Sequence, residues 1–201
     1  MPNPKRRLLV VVMDRSYSMH SVKKDAEGGL MTLLQEQKTN RAETLVSLYD
    51  FADDYRIVYE YAPLNAVPVY HLHPAGNTAL LDAIGITITR IADHLDQMPE
   101  GDQPGEICLA IQTDGEDNVS RTYDLDRVNE LITAKRAAGW KISFLGADQD
   151  AITVGAALGI DPAMTLSYGS SKTQESLTRA GRMLSRGGSG FTEADRDATR
   201  F

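Results

Sequence analysis

Three oxygen-bearing side chains stand at alternate positions directly after an apolar run near the start of the sequence. The run Leu8–Met13 is followed by Asp14, Ser16 and Ser18 in the pattern D-x-S-x-S. Carboxylate and hydroxyl oxygens are the ligands that hard divalent cations prefer. The pattern therefore predicts part of a divalent-metal site at the end of a buried strand, although taken alone it also fits a turn that caps a helix.

Two distant segments offer further oxygen ligands. The stretch H-P-A-G-N-T-A-L-L-D (73–82) places Thr78 just before a predicted helix, where its hydroxyl also fits the role of an N-cap. The stretch Q-T-D-G-E-D-N (112–118) places Asp114 just after a predicted strand, and Gly115 permits a tight turn there. Two carboxylates and three hydroxyls would roughly neutralise a Mg²⁺ ion and leave a coordination position for water or an incoming carboxylate.

The rest of the sequence predicts the elements that would bring these segments together. Short apolar runs alternate with helical periodicity, which indicates a doubly wound α/β fold: a mostly parallel six-stranded sheet with one antiparallel edge strand and helices on both faces. Such sheets bind ligands beyond the carboxyl ends of their strands, where Asp14 and Asp114 lie. Strands are predicted at 8–13, 43–51, 56–61, 106–112, 141–145 and 164–168, and helices at 21–38, 79–98, 125–138, 149–158 and 173–185.

Three short motifs together resemble those of the von Willebrand factor A (vWA) family, which has a Rossmann-like fold. They are D-R-S-Y-S (14–18), G-N-T (76–78) and T-D-G (113–115), in the family's order and on the matching elements. The resemblance covers about residues 6–186 and is strongest to small stand-alone intracellular A-domain proteins of bacteria and bacteriophages. It implies the family's metal-ion-dependent adhesion site (MIDAS), with its ligands at Asp14, Ser16, Ser18, Thr78 and Asp114.

The resemblance also implies a function. In the family, an Asp or Glu of a partner protein supplies the last metal ligand, so we expect divalent-metal-dependent protein–protein interaction and no enzyme activity. Mg²⁺ is the expected ion, with Mn²⁺ or Ca²⁺ as alternatives. The family usually has Gly where this chain has Tyr17. A large ring there would narrow the site, contact a partner, or strain the loop if its φ were positive.

Other functions compete with this one. Intracellular A domains also act as subunits of larger assemblies, beside MoxR-type AAA+ ATPases or in ribonucleoproteins, and a phage–host interaction is equally open. A metal-dependent phosphohydrolase with Asp14 as nucleophile is less favoured, because such enzymes need a second Asp where this chain has Ser16. His71 and His73 suggest a zinc pair only weakly, since no third ligand is evident. Glu116 and Asp117 are interpreted as solvated loop acids.

Composition narrows the partners and the compartment. The 201 residues carry a net charge of −7, which disfavours duplex nucleic acid or an anionic membrane as the main partner. The single cysteine, Cys108, lies in an apolar run, so no disulfide can form within the chain and a reducing, cytoplasmic location in a bacterium or phage-infected cell is expected. No apolar run is long enough to span a membrane.

The chain divides into one domain and a tail. Residues 1–186 are predicted to form the vWA domain, and residues 187–201 a C-terminal tail that is expected to be flexible. If the tail docks, Phe191 and Phe201 are its expected anchors.

Overall fold

Six strands form one sheet in the computed structural model, which describes residues 1–200. The sheet has the order β3-β2-β1-β4-β5-β6, and only β3 runs antiparallel to its neighbour. This confirms the predicted fold class. The strands are β1 (Asn3–Asp14), β2 (Glu43–Phe51), β3 (Tyr55–Pro63), β4 (Pro104–Thr113), β5 (Lys141–Ala147) and β6 (Thr165–Tyr168).

The helices follow the apolar periodicity of the sequence. In the second helix, apolar side chains recur at helical spacing from Leu80 to Leu95 and are buried. Within residues 1–200, no helix combines the length and apolar character that crossing a bilayer requires. The helices are α1 (Lys23–Gln37), α2 (Leu80–Gln97), α3 (Leu125–Ala137), α4 (Ala151–Ala157), α5 (Thr173–Ser185) and α6 (Glu193–Thr199).

The central strand β1 sets the position of the D-x-S-x-S motif. Its residues Leu8–Met13 are fully buried between β2 and β4. Asp14 is in register with Phe51 at the end of β2, and Met13 is in register with Gln112 near the end of β4. Because these three strands are parallel, their carboxyl ends meet at one edge of the sheet, next to Asp14.

Two strands begin earlier than the sequence pattern indicates. β1 starts at Asn3 and β4 at Pro104, and these two residues are paired across an irregular register. The added residues Pro4 and Lys5 are exposed. Polar residues at the exposed end of a strand carry no apolar alternation, so periodicity could not reveal them.

The C-terminal segment contains a helix where the sequence predicted a flexible tail. Thr192 and Asp195 form a reciprocal capping box at the start of α6. Phe191 is buried, as expected of an anchor, and α6 packs against β6 and α5. Phe201, the other expected anchor, lies outside the described residues. A single aromatic residue in a polar segment gives too little periodicity to predict this docking.

The capping box predicts the effect of a mild substitution. Thr192→Ala is expected to destabilise α6 by about 1 kcal/mol, because the hydroxyl bond to the Asp195 amide is lost. Tryptic cleavage after Arg196, whose side chain donates to the carbonyl oxygens of Thr165 and Pro162, should then become about fivefold faster. Thr192→Ser keeps the hydroxyl and should cleave like the wild type. Equal cleavage of all three proteins would contradict this role of the cap.

Candidate metal centre

Three side-chain oxygens converge where β1 and β4 end. The hydroxyl oxygens of Ser16 and Ser18 lie 3.0 Å apart. The Ser18 hydroxyl donates to Oδ1 of Asp114 at 2.8 Å, and the Ser16 hydroxyl lies 3.4 Å from the same oxygen. Two of the three separated motifs therefore meet, and their oxygens are close enough for one small cation to contact all three.

Asp14 lies beneath these oxygens. Its side chain is fully buried; Oδ1 accepts the backbone N–H of Ser16 at 2.7 Å, and Oδ2 accepts the Thr113 hydroxyl at 2.6 Å. The pKa of Asp14 is raised to about 6: burial raises it most, these hydrogen bonds lower it, and the neighbouring charge of Asp114 adds a smaller increase. An ionised Asp14 thus lacks a compensating positive charge in the protein alone, which is the electrostatic setting that suits a bound cation.

Asp114 is partly exposed and faces the same place. Loss of solvent raises the pKa of Asp114, the hydrogen bonds from Ser18 and Ser16 lower it, and the negative charge of Asp148 raises it. The pKa values of Asp14 and Asp114 are both raised, and a divalent ion bound between the two carboxylates would stabilise their charged forms.

Thr78 lies next to the turn that follows Asp114. It is buried, and its backbone is fixed by two hydrogen bonds with Asn118, each of 3.0 Å. Its hydroxyl oxygen would lie 3.5 Å from a Cβ placed on Gly115, so it borders the residue after Asp114. Helix α2 begins at Leu80, its N-cap residue is Ala79, and the N–H groups of Leu81 and Asp82 in its first turn donate to Asp117 and Ser120. The alternative role of Thr78 as an N-cap is therefore not observed, and its hydroxyl remains available for a ligand.

The donor set fits a hard divalent cation. Asp14, Ser16, Ser18 and Asp114 are joined by hydrogen bonds, the Thr78 hydroxyl borders Gly115, and all five offer only carboxylate and hydroxyl oxygens. Their role as metal ligands stays a prediction. The alternative zinc pair gains no support, because His71 and His73 are exposed and residues 1–200 contain no group of three His, Cys, Asp or Glu side chains placed to hold a metal.

Tyr17 does not strain the site. It begins a short 3₁₀ turn, and it is not among the residues with a positive φ. Its side chain is 72% exposed, with its ring centroid 6.3 Å from that of His20. The ring therefore projects into solvent, and Tyr17 lies between Ser16 and Ser18 in the chain.

Two polar residues near the site have roles that the sequence did not reveal. Thr113 donates to Asp14 and accepts the backbone N–H of Gly115 at 3.1 Å, so it links the ends of β1 and β4. Asp117, interpreted as a solvated loop acid, instead accepts the backbone N–H of Leu81 at 3.1 Å in the first turn of α2. Glu116 is exposed, as expected. A local pattern could suggest a turn at 113–117, but not which distant helix Asp117 caps.

Comparison with solved structures identifies the fold. Proximal thread matrix protein 1 from the mussel byssus, with a zinc-occupied MIDAS motif, aligns over 92% of this chain with a TM-score of 0.64 and 13% identity. A von Willebrand factor type A protein from Catenulispora acidiphila aligns over 88% with a TM-score of 0.60 and 18% identity. This chain spans 49% of the first protein and 42% of the second.

A third structure matches along nearly its whole length. The vWF domain of the type V pili tip protein Mfa5 from Porphyromonas gingivalis has a TM-score of 0.60 and 8% identity, covering 93% of this chain and 97% of that one. No protein-family model and no curated protein matches the sequence. The sheet order, the helices around it and these structural matches show that this chain has the fold of a von Willebrand factor A domain.

Proposed function

We propose that this chain binds one divalent metal ion at the candidate metal centre and uses it to capture an acidic side chain of a partner protein. The observation that carries this proposal is the convergence of the Ser16, Ser18 and Asp114 oxygens within 2.8 to 3.4 Å of one another. Mg²⁺ is the ion that such an oxygen-only set favours, and Mn²⁺ or Ca²⁺ would be accepted. The zinc-occupied MIDAS motif of the mussel protein supports a metal-binding role for this fold.

The exposure of the ligands supports partner capture. Ser18 is exposed and Asp114 is partly exposed, whereas Ser16 and Thr78 are buried. The ion would be held from below by the buried residues and approached from the solvent side. A partner carboxylate that completes the coordination shell would add a third carboxylate to those of Asp14 and Asp114, which gives the metal a decisive share of the binding energy.

The environment of Asp14 favours binding over catalysis. A nucleophilic carboxylate needs an accessible oxygen, but Asp14 is fully buried and both of its oxygens accept hydrogen bonds. The position two residues later carries the Ser16 hydroxyl, which has no acid–base capacity near neutral pH. We therefore propose a non-enzymatic module and do not favour the phosphohydrolase.

A Mn²⁺ titration tests the metal-binding part of the proposal. Free Mn²⁺ is read by electron paramagnetic resonance, and the wild type should bind one ion. Ser18→Ala removes one hydroxyl and should weaken binding by about tenfold, equivalent to about 1.4 kcal/mol. The control Asp126→Asn removes an exposed charge in the first turn of α3 and should bind like the wild type. Unchanged Mn²⁺ affinity in Ser18→Ala would argue against this ligand set.

Partner capture is tested separately. Any protein partner should bind in the presence of Mg²⁺ and be released by a chelator, and its binding should be lost when its contacting Asp or Glu is changed to Asn or Gln. Binding that survives chelation would exclude the metal-bridged mechanism, even if the chain holds a metal.

A further inference from the structure

A buried carboxylate beside the metal centre joins several segments of the chain. Asp50, near the end of β2, is fully buried, and its Oδ1 lies 3.2 Å from Nε of Arg15 and 2.6 Å from Nε of Arg56. Its Oδ2 lies 2.5 Å from Nη2 of Arg56 and accepts the Tyr70 hydroxyl at 3.0 Å. A second acid, Asp54, contacts the other side of the Arg15 guanidinium. We call these five residues the Asp50 cluster.

The cluster is balanced in charge. Two guanidinium groups face two carboxylates, and the hydrogen bond to Asp50 raises the pKa of Arg56. Burial and the adjacent Asp50 charge raise the pKa of Tyr70, so its phenol stays protonated and donates. Arg15 and Asp50 are the buried pair, whereas the side chains of Arg56 and Asp54 are 39% and 63% exposed. The buried pair favours one geometry, because a displacement of Arg15 leaves a buried charge with fewer partners.

Arg15 connects this cluster to both halves of the metal centre. It stands between Asp14 and Ser16 in the chain, and its side chain is only 6% exposed. Its backbone N–H donates to the Phe51 carbonyl at 2.8 Å, and its carbonyl accepts the Ala75 N–H at 2.8 Å. Ala75 belongs to the segment that carries Thr78. Through these two backbone hydrogen bonds, Arg15 links residues 14–18 both to β2 and to the segment that carries Thr78.

We infer that Arg15 is a positioning residue of the metal centre: its paired contacts with Asp50 and Asp54 hold the 14–18 loop against the 73–79 segment in the arrangement that a metal ion requires. Arginine suits this role because its planar guanidinium presents donors on two sides, whereas an ammonium group acts as a single point charge. The consequence for metal affinity rests on the proposed function, but the consequence for the two loops does not.

The test compares two arginines that share the same carboxylate. Arg15→Met removes the link to the loop and leaves Asp50 paired with Arg56, whereas Arg56→Met leaves it paired with Arg15. Backbone hydrogen–deuterium exchange is measured on the metal-free proteins at a temperature where circular dichroism shows each to be folded. In Arg15→Met, the amides of both 14–18 and 73–79 should exchange about tenfold faster than in the wild type. In Arg56→Met they should exchange at nearly the wild-type rate.

A Mn²⁺ titration of the same proteins adds a second readout. Arg15→Met should bind Mn²⁺ at least about tenfold more weakly than Arg56→Met, as is usual when a residue that orients metal ligands is lost. If Arg15→Met does not fold, Arg15→Lys replaces it and should show the same changes with a smaller size. Unchanged exchange in both segments, or equal increases in both arginine variants, would overturn the inference. If the wild type binds no Mn²⁺, the proposed function fails, and the exchange rates alone still decide the role of Arg15.

Discussion

Asp114→Asn is expected to reduce the affinity for Mn²⁺ by at least about 100-fold, equivalent to about 3 kcal/mol. The substitution keeps the shape of the side chain and an oxygen that can accept the Ser18 hydroxyl, whose bond to Asp114 is 2.8 Å. It removes one of the two negative charges that the proposed ligand set offers the ion. A charge pair at about 4 Å near a protein surface is worth about 4 kcal/mol, so the expected loss is of the right size for one carboxylate.

The same substitution should leave the metal-free protein equally or more stable. Loss of solvent raises the pKa of Asp114, the hydrogen bonds from Ser18 and Ser16 lower it, and the charge of Asp148 raises it, with a net increase. Ionised Asp114 therefore costs the folded protein stability relative to the unfolded chain at neutral pH. A neutral amide removes this cost and the repulsion from Asp14.

Two measurements test the expected loss of Mn²⁺ affinity and the expected stability of the metal-free protein. Mn²⁺ titration gives the affinity, and urea unfolding with and without Mn²⁺ gives the stability. Asp126→Asn is the control for loss of one negative charge, because Asp126 is exposed and lies in α3. A metal-free Asp114→Asn protein that is clearly less stable than the wild type would mean that Asp114 is a structural residue. Retained Mn²⁺ affinity would mean that it is not a ligand.

The proximity of the candidate ligands was predictable because it follows from where the strands end. Asp14 and Asp114 each follow an apolar run, and parallel strands must end at a common edge, so their proximity needs only the fold class. Thr78 was placed by its position just before a strongly periodic helix. Each of these patterns is local in sequence, and the parallel sheet brings the residues that they mark close together.

The Asp50 cluster was not predictable by the same logic. Asp50 ends an apolar strand much as Asp14 does, yet it faces Arg56 across the β2–β3 pair and the Tyr70 hydroxyl from a loop without regular structure. The register of this pair shifts between Val46 and Tyr49, which breaks the alternation that would place a side chain on one face. Buried ion pairs therefore depend on register and loop path, which composition and periodicity do not encode.

The adjacent glycines of α1 show the same limit at helix contacts. Glycine is unfavourable inside a helix, so the sequence suggests that Gly28-Gly29 packs closely on the sheet. The structure places both glycines against helix α5 instead. In the structure, the two glycines have different surroundings. A Cβ on Gly29 would lie 2.9 Å from Cβ of Leu177 and 3.1 Å from the backbone of Gln174 on α5, whereas a Cβ on Gly28 would have its nearest contact at 3.6 Å. Only the partner helix distinguishes neighbouring residues of identical type.

This difference predicts opposite effects from the same substitution at neighbouring positions. Gly29→Ala is expected to destabilise the protein by about 2 kcal/mol net, because the added methyl group forces α1 and α5 apart where backbone and side chain already touch. Gly28→Ala is expected to stabilise it by about 0.5 to 1 kcal/mol, because the methyl group meets only ordinary contacts and alanine loses less conformational freedom than glycine in a helix.

Urea unfolding of the two variants decides between helix propensity and packing. Each protein carries one added methyl group on the same helix, so each serves as the control for the other. The unfolding midpoints should move in opposite directions from the wild type while the m-values stay equal, as expected when stability changes but the surface exposed on unfolding does not. If both variants were stabilised, propensity alone would govern α1 and the close approach of α5 would be wrong. If both were destabilised, the close contact with α5 would extend to Gly28. A Cβ on Gly28 would then lie closer to Gln174 than the 3.6 Å that the structure shows.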